Sequence, residues 1–307
     1  MEHMAASYFQ ELFTKDPTLA RDVMLDMITP KVIVAMNESL LASYSEKEIS
    51  DALFQIGPLK APGPDGFPAR FYQRNWGELK GEIVKAVQQF FVTVLMPEGV
   101  NDTSIVLIPK VQHPSSLKDF LPISLSNVIY KIVSKCMVNH LRPLLTELIS
   151  ENQSAFIPGR LISDNSIIAF ECLHHIQTSA GGNNFCAYKL DLSKAYDPID
   201  WVFLARALLK WGFAREWVAL VMESVRSIKF AVKFNEKSPE QFSPSRGLRQ
   251  GDPLSPFLFL FVADAQFSLL HGVVQEKDLE AVKICPGAPA ISHLLFADDS
   301  VLFFWAS

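Results

Sequence analysis

The chain has 307 residues, 49% of them hydrophobic, and a formal net charge of −5. This length suits one large domain or two ordinary ones, and the hydrophobic fraction excludes a disordered chain. The acidic balance counts against a nucleic-acid-binding protein unless its basic residues are clustered locally.

The cysteines and the N-terminus favour an intracellular protein. The four cysteines lack C-x-x-C spacing, which indicates reduced thiols and counts against a zinc site. Residues 1–4 lack the basic-then-apolar pattern of a secretory leader. The apolar run over 253–270 contains Asp264 and two prolines, so a buried helix is favoured over a membrane span. We expect a nuclear or cytoplasmic location and no membrane segment.

The first half of the chain is predicted to be mainly helical. Ser45 and Glu48 have the spacing of a capping box, which predicts that a helix begins there. Residues 60–66 contain two prolines and two glycines, which predicts a rigid, irregular loop. Further predicted elements are a helix over 79–94, a strand over 103–109 and helices over 128–149 and 164–176.

The second half of the chain is predicted to mix strands and helices. A polar, glycine-containing turn at 181–184 separates it from the helical part. The patterns after this turn predict a strand over 185–192, helices over 200–211 and 214–226, a hairpin joining 228–234 to the region of Phe242, and a helix over 253–275.

Two adjacent carboxylates, Asp298 and Asp299, lie near the end of the chain. The residues on either side, 291–295 and 301–305, are rich in branched and aromatic side chains, which is typical of short buried strands. A hairpin with carboxylates at its tip suits a hard divalent cation. A solvated turn is the alternative interpretation of this pair taken alone.

A third carboxylate, Asp191, lies at the end of the predicted strand over 185–192. If this strand pairs beside the acidic hairpin, three carboxylates converge. Such a group holds two Mg²⁺ ions about 4 Å apart, which stabilises both the attacking and the leaving oxygen in phosphoryl transfer.

A glycine-containing loop at 246–256 lies between the two acidic elements in the sequence. Glycine lets a backbone approach a ligand closely, and this loop leads into the start of a predicted helix. A turn followed by a helix cap is the alternative interpretation. Between the acidic elements, the loop is placed to pack against a nucleotide and a template base.

Seven segments in one order resemble the reverse transcriptases of non-LTR (LINE-type) retrotransposons, those of plants especially. They are residues 60–66, 108–110, 122–125, 152–160, 189–197, 247–256 and 296–299. The resemblance runs from about residue 40 to the end. It implies an α+β right-hand polymerase with an N-terminal helical extension (1–40), fingers (41–183) and a palm (184–307). The palm is expected to be a small antiparallel sheet backed by helices, and a thumb is expected to be absent, because the chain is truncated after the catalytic hairpin.

The resemblance also implies an activity, RNA-directed DNA polymerisation. An RNA template, a DNA primer and dNTPs would be its partners, and two Mg²⁺ ions, with Mn²⁺ as a substitute, would assist nucleotidyl transfer to the primer 3′-hydroxyl. The implied catalytic and metal-binding residues are Asp191, Asp298 and Asp299. The implied nucleotide-binding residues are Lys110, Tyr196, Gln250 and Gly251. The implied nucleic-acid-binding residues are Lys60, Arg160 and Arg249.

Two of these roles keep an alternative. The resemblance puts Tyr196 under the sugar, where its ring would exclude a 2′-hydroxyl, but plain core packing also accounts for an aromatic residue there. Lys110 would neutralise the triphosphate, but a solvated lysine is also consistent with its position.

Departures from the family pattern support a second hypothesis. Leu121 and His140 stand where the family usually has arginine, and Pro198 where it often has a basic residue. Losing the arginine at 121 should weaken nucleotide binding by roughly 1.5–3 kcal/mol. The alternative is therefore a catalytically impaired, truncated retroelement relic that keeps the fold or binds nucleic acid. Group II intron maturases and viral RNA polymerases share a palm with metal-binding carboxylates, but residues 152–156 and 297–299 favour the LINE-type interpretation.

Two weaker signals are interpreted as structural. Glu171, His174 and His175 lie on a predicted helix without partner motifs, so ordinary helix positions are favoured over a metal site. Asp264 follows Phe261, Val262 and Ala263 and so mimics the acidic hairpin, but it lies in the middle of a predicted helix.

Overall fold

The computed structural model describes residues 2–14, 22–178, 185–192, 194–233, 241–275 and 281–305. The predicted turn and domain boundary at 181–184 lies outside these residues. The helices before residue 150 are α1 (Glu2–Leu12), α2 (Asp22–Asp26), α3 (Val34–Leu40), α4 (Glu46–Phe54), α5 (Ala69–Arg74), α6 (Trp76–Thr93), α7 (Val128–Leu141) and α8 (Leu145–Leu148). Those after it are α9 (Ile162–Thr178), α10 (Trp201–Trp211), α11 (Arg215–Arg226) and α12 (Ser255–Gln275).

The described strands form two three-stranded sheets. The strands are β1 (Asp102–Pro109), β2 (Phe120–Ser126), β3 (Phe185–Asp191), β4 (Lys229–Val232), β5 (His293–Phe296) and β6 (Asp299–Trp305). The first sheet has the order β2-β1-β4, with β1 antiparallel to β2 and parallel to β4. The second has the order β3-β6-β5 and is antiparallel throughout. The predicted α+β class is confirmed.

Local sequence signals account for where several helices begin and end. The hydroxyl of Ser45 accepts a hydrogen bond from the backbone N–H of Glu48 (3.2 Å), and the Glu48 carboxylate accepts one from the backbone N–H of Ser45 (2.8 Å). This is the predicted capping box. The predicted single helix over 128–149 is interrupted by a 3₁₀ turn, Arg142–Leu144. Pro143 lies in that turn and lacks the N–H that a continuous α-helix needs.

The predicted hairpin around Phe230 is present in a reduced form. Phe230 and Phe242 exchange two backbone hydrogen bonds of 2.8 and 2.9 Å, while all of β4 pairs in parallel with β1. Phe234, the predicted end of the strand, lies outside the described residues.

Helix α12 lies in the main hydrophobic core. Its buried side chains include Leu258, Leu260 and Phe261, and the last of these makes edge-to-face contacts with Trp211 and Phe213. The helix is therefore the buried one predicted over 253–270. Among the described residues, no helix combines the length and apolar character that crossing a membrane requires.

Candidate active site

A cleft of about 510 Å³ lies where the two sheets and the 247–252 loop meet. Its lining brings together most of the predicted site residues. The first sheet and its strand ends contribute Lys110, Leu121 and Pro122. The end of β3 and the segment after it contribute Asp191, Tyr196 and Asp197, and later segments contribute Arg249, Gln250, Gly251 and Asp298. Residues that are far apart in the sequence thus face one space.

The antiparallel sheet positions the carboxylates. Asp191, the last residue of β3, is directly opposite Asp299, the first residue of β6, and Phe296 of β5 is opposite Asp299 on the other side. Ala297 and Asp298 form the two-residue turn, in which Ala297 has a φ of 54°. The predicted pairing of the Asp191 strand beside the hairpin is confirmed, and it aims Asp191 and Asp298 into the cleft.

Asp299 differs from its neighbour. Its carboxylate forms an ion pair of 3.0 Å with Lys189 and is 58% exposed. Within the described ranges, no three His, Cys, Asp or Glu side chains are grouped closely enough to hold a metal ion. The two carboxylates that do face the cleft fit a Mg²⁺ ion, because Mg²⁺ in proteins is commonly held by one or two carboxylates together with water and substrate phosphates.

The 247–252 loop docks its backbone on β2. The carbonyl of Gln250 accepts a hydrogen bond of 3.0 Å from the N–H of Ser124. Gly251 has a φ of 106°, and a Cβ atom there would lie 3.1 Å from the Ser124 carbonyl oxygen. A left-handed conformation beside a neighbouring backbone favours glycine, so this position keeps the wall of the cleft flat.

Arg249 is placed differently from its predicted nucleic-acid contact. Its side chain is 3% exposed, its guanidinium is 2.8 Å from the Asp252 carboxylate, and it stacks at 3.8 Å from the centre of the Tyr130 ring. Asp252 also accepts hydrogen bonds from the hydroxyls of Tyr130 (2.6 Å) and Ser134. Because these partners are all internal, the Arg249 guanidinium anchors the loop, and its contact with nucleic acid stays a prediction.

Arg160 is likewise tied to the backbone. Its guanidinium donates to four carbonyls around the end of α8, those of Thr146, Ile149, Ser150 and Gln153. It also lines a second cleft, of about 400 Å³, together with Lys135, Arg142 and three phenylalanines, Phe156, Phe257 and Phe296. Burial, and then the charges of Arg142 and Lys60, lower the pKa of Lys135. Lys60 itself is exposed.

Tyr196 packs against a neighbouring ring and lines the cleft, and its role under a sugar stays a prediction. Its ring stacks on Phe259 with centroids 5.0 Å apart, and the residue also lines the cleft. Burial, and then the nearby charge of Asp298, raise its pKa to about 12. Lys110 is exposed at the end of β1 and lines the same cleft.

Asp197 is a site residue that sequence reasoning missed. It is 2% exposed, lines the cleft, and its Oδ2 atom has no hydrogen-bond partner in the described structure. Burial raises its pKa to about 6, against the opposing charges of Lys194, Lys110 and Arg246. The signal was available, because a carboxylate directly follows the cleft aromatic Tyr196.

The remaining candidates lie outside the cleft lining. His140 contacts Glu48 at 2.9 Å and stacks on Tyr44. Asp264 accepts a hydrogen bond of 3.1 Å from the backbone N–H of Ser150 and lies 3.8 Å from Lys31, so it is a structural residue of α12 as predicted.

Comparison with known proteins identifies the family of this chain. The family described as reverse transcriptase (RNA-dependent DNA polymerase) matches residues 108–306. The chain is 30% identical over 304 residues to the transposon TX1 uncharacterized 149 kDa protein of Xenopus laevis, covering 97% of this chain and 23% of that protein.

Two further relatives are retrovirus-related Pol polyproteins. That of the type-2 retrotransposable element R2DM of Drosophila melanogaster is 26% identical over 273 residues, which cover 88% of this chain and 24% of the relative. That of the type-1 retrotransposable element R2 of Nasonia vitripennis is 27% identical over 242 residues, which cover 79% of this chain and 22% of the relative. The chain thus spans about a quarter of the length of these relatives, and it belongs to the reverse transcriptase (RNA-dependent DNA polymerase) family, in its non-LTR, LINE-type branch.

Proposed function

We propose that the cleft is the active site of an RNA-directed DNA polymerase that adds dNTPs to the 3′-hydroxyl of a primer. The observation that carries this proposal is that Asp191, Asp298, Gln250 and Gly251 all line one cleft. The carboxylates suit the metal ions that accompany a triphosphate. The glycine backbone lets the base and sugar of the nucleotide approach the loop closely.

Each residue has one role in this reaction. Asp191 and Asp298 hold divalent cations, Mg²⁺ or Mn²⁺, which supply charge stabilisation at the reacting phosphate when bound. Lys110 reaches the triphosphate from the end of β1 and offsets its negative charge. Tyr196, held in place by stacking on Phe259, lies under the sugar and favours a deoxynucleotide. Asp299 supports the hairpin through Lys189 and takes no direct part.

We further propose a division of the chain into an extension (1–40), fingers (41–183) and a palm (184–307). The β3-β6-β5 sheet then forms the palm that carries the carboxylates. Template RNA follows the second cleft, where Lys135, Arg142 and Arg160 offer positive charge beside the exposed ring of Phe156. Basic groups combined with aromatic rings suit a single-stranded nucleic acid. An intracellular location, nuclear or cytoplasmic, is part of the same proposal.

The relic hypothesis is retained for one reason. Leu121 lines the cleft near Lys110, so this part of the wall has an apolar side chain where the family usually has an arginine. A protein that binds template and primer but incorporates nucleotides very slowly is the second candidate function.

Primer extension tests the two candidates against each other. The chain is mixed with an RNA template, a DNA primer, dNTPs and Mg²⁺, and extension is compared with the same mixture containing a chelator. Metal-dependent extension on the RNA template supports the polymerase. Template binding without extension supports the relic, and neither binding nor extension overturns both.

A further inference from the structure

Asp197 is a buried carboxylate in the wall of the nucleotide cleft that the polymerase mechanism above does not use. Its backbone is fixed, because its N–H donates to the Lys194 carbonyl (2.9 Å) and a Cβ atom on Gly247 would lie 2.8 Å from the Asp197 carbonyl oxygen. The Asp197 Oδ2 atom has no hydrogen-bond partner among the described residues.

The charged groups around Asp197 come from three elements. Lys110 approaches from the end of β1, Lys194 from the turn after β3 and Arg246 from the loop before Gly247. Two of these cations also have other partners: Lys194 donates to the Tyr8 hydroxyl (2.7 Å) and Arg246 to the Leu12 carbonyl (2.8 Å). The carboxylates of Asp191 and Asp298 line the same cleft.

A triphosphate entering this cleft competes with Asp197 for the positive charges of Lys110 and Lys194, which both line it. Two anions in a partly desolvated space repel each other, and burying an ionised carboxylate without a hydrogen bond is costly. Taking up one proton from solvent removes the repulsion. It also turns the carboxyl group into a hydrogen-bond donor, since a protonated carboxyl has one O–H.

We propose that Asp197 is a nucleotide-positioning residue, which takes up a proton from solvent when the triphosphate of the incoming nucleotide binds and then donates that O–H to a triphosphate oxygen. The proposal rests on the polymerase function above. In the free protein the Asp197 carboxylate offsets the nearby charges of Lys110 and Lys194, and in the complex the triphosphate does so.

The direction of the pH dependence follows. Burial raises the pKa of Asp197 to about 6 in the free protein, so the group is mostly ionised above that pH. Nucleotide binding favours the protonated form and raises this pKa further. Affinity for the nucleotide therefore falls as pH rises above about 6, by up to about tenfold per pH unit for one proton.

Calorimetry in two buffers of different ionisation enthalpy measures the proton directly. A dNTP is titrated with Mg²⁺ into the complex of the full chain with an RNA template and a primer that ends in a dideoxynucleotide, which prevents reaction. The wild-type protein is compared with Asp197→Asn, which keeps the shape but cannot ionise, and with Asp51→Asn, an exposed carboxylate outside the cleft.

We expect the wild type and Asp51→Asn to take up more protons per nucleotide bound than Asp197→Asn, while the affinity of Asp197→Asn stays constant with pH. Equal proton uptake by all three proteins, with the nucleotide bound, overturns the inference and leaves the polymerase function intact. Failure of the wild type to bind any dNTP overturns the polymerase function itself. If Asp197→Asn does not fold, the pH dependence of wild-type affinity still decides, because a constant affinity between about pH 6 and about pH 8 contradicts the proposal.

Discussion

The two walls of the cleft are built in opposite ways. The carboxylate wall is a small sheet whose acidic end is accessible, since Asp191 is exposed and Asp298 is half-buried. The loop wall is held by a buried network in which Arg249 is 3% exposed and paired with Asp252. The chemistry is thus carried by accessible groups, and the shape of the cleft by buried ones. Stability and catalysis should therefore be separable by mutation.

The largest effect on stability is expected on the loop wall. Asp252→Ala leaves Arg249 buried without its counter-ion, which should lower the free energy of unfolding by roughly 3–5 kcal/mol. Urea denaturation measures this change. Asp299→Ala is the matched control, and its exposed ion pair should contribute little. Equal losses in the two variants would contradict the contrast between the walls.

Asp197 differs from the accessible carboxylates Asp191 and Asp298 because it is buried, and its ionised form should therefore destabilise the fold. Its pKa is raised above that of an unfolded chain, so its stabilising effect is complete below about pH 4 and is lost as pH rises through about 6. Asp197→Asn cannot ionise, so relative to wild type it should gain up to about 3 kcal/mol between about pH 4 and about pH 8. Urea denaturation at these two pH values measures the gain. An identical pH dependence in both proteins would rule out a raised pKa.

Gly251 tests the fit of the loop wall at the nucleotide. Gly251→Ala forces a side chain into a φ of 106° and against the Ser124 carbonyl, at a cost of roughly 1–2 kcal/mol in stability. Because the loop would move from β2, KM for the dNTP should rise. Gly81→Ala is the control, since a Cβ atom there meets nothing within 4 Å. Steady-state kinetics with an unchanged KM in Gly251→Ala would argue against contact with the nucleotide.

The smallest effect is expected in the second cleft. Lys135→Met removes one positive charge facing the proposed template path, so RNA affinity should fall modestly. The slope of log affinity against log salt concentration should become less steep by about one. Filter binding at several salt concentrations measures both. Lys80→Met, on the exposed face of α6, is the control. An unchanged salt dependence in Lys135→Met would remove Lys135 from the path.

Sequence reasoning located the elements well where local chemistry decides. The capping box at Ser45, the buried helix α12 and the pairing of the Asp191 strand with the acidic hairpin all follow from spacing and hydrophobic pattern. It did not reveal contacts that depend on a distant partner. Arg249 turns inward because Asp252 and Tyr130 hold it, and Asp299 turns to Lys189.

The position of Asp197 beside Tyr196 was visible in the sequence, but its charge environment was not. Its environment is made by residues from three separate segments, Lys110, Lys194 and Arg246, and only the folded chain brings them together. Motif spacing predicts which residues converge, but it does not reveal which of them become buried.

The most direct test of the active site is the single-turnover rate of nucleotide addition by Asp298→Asn beside that of Asp299→Asn. Both changes remove one charge from adjacent residues, but only Asp298 lines the cleft. We expect the rate of Asp298→Asn to fall by at least about 10²–10³-fold, with an unchanged free energy of unfolding, and that of Asp299→Asn to fall far less. A wild-type rate in Asp298→Asn would contradict the assignment of this cleft as the site of polymerisation.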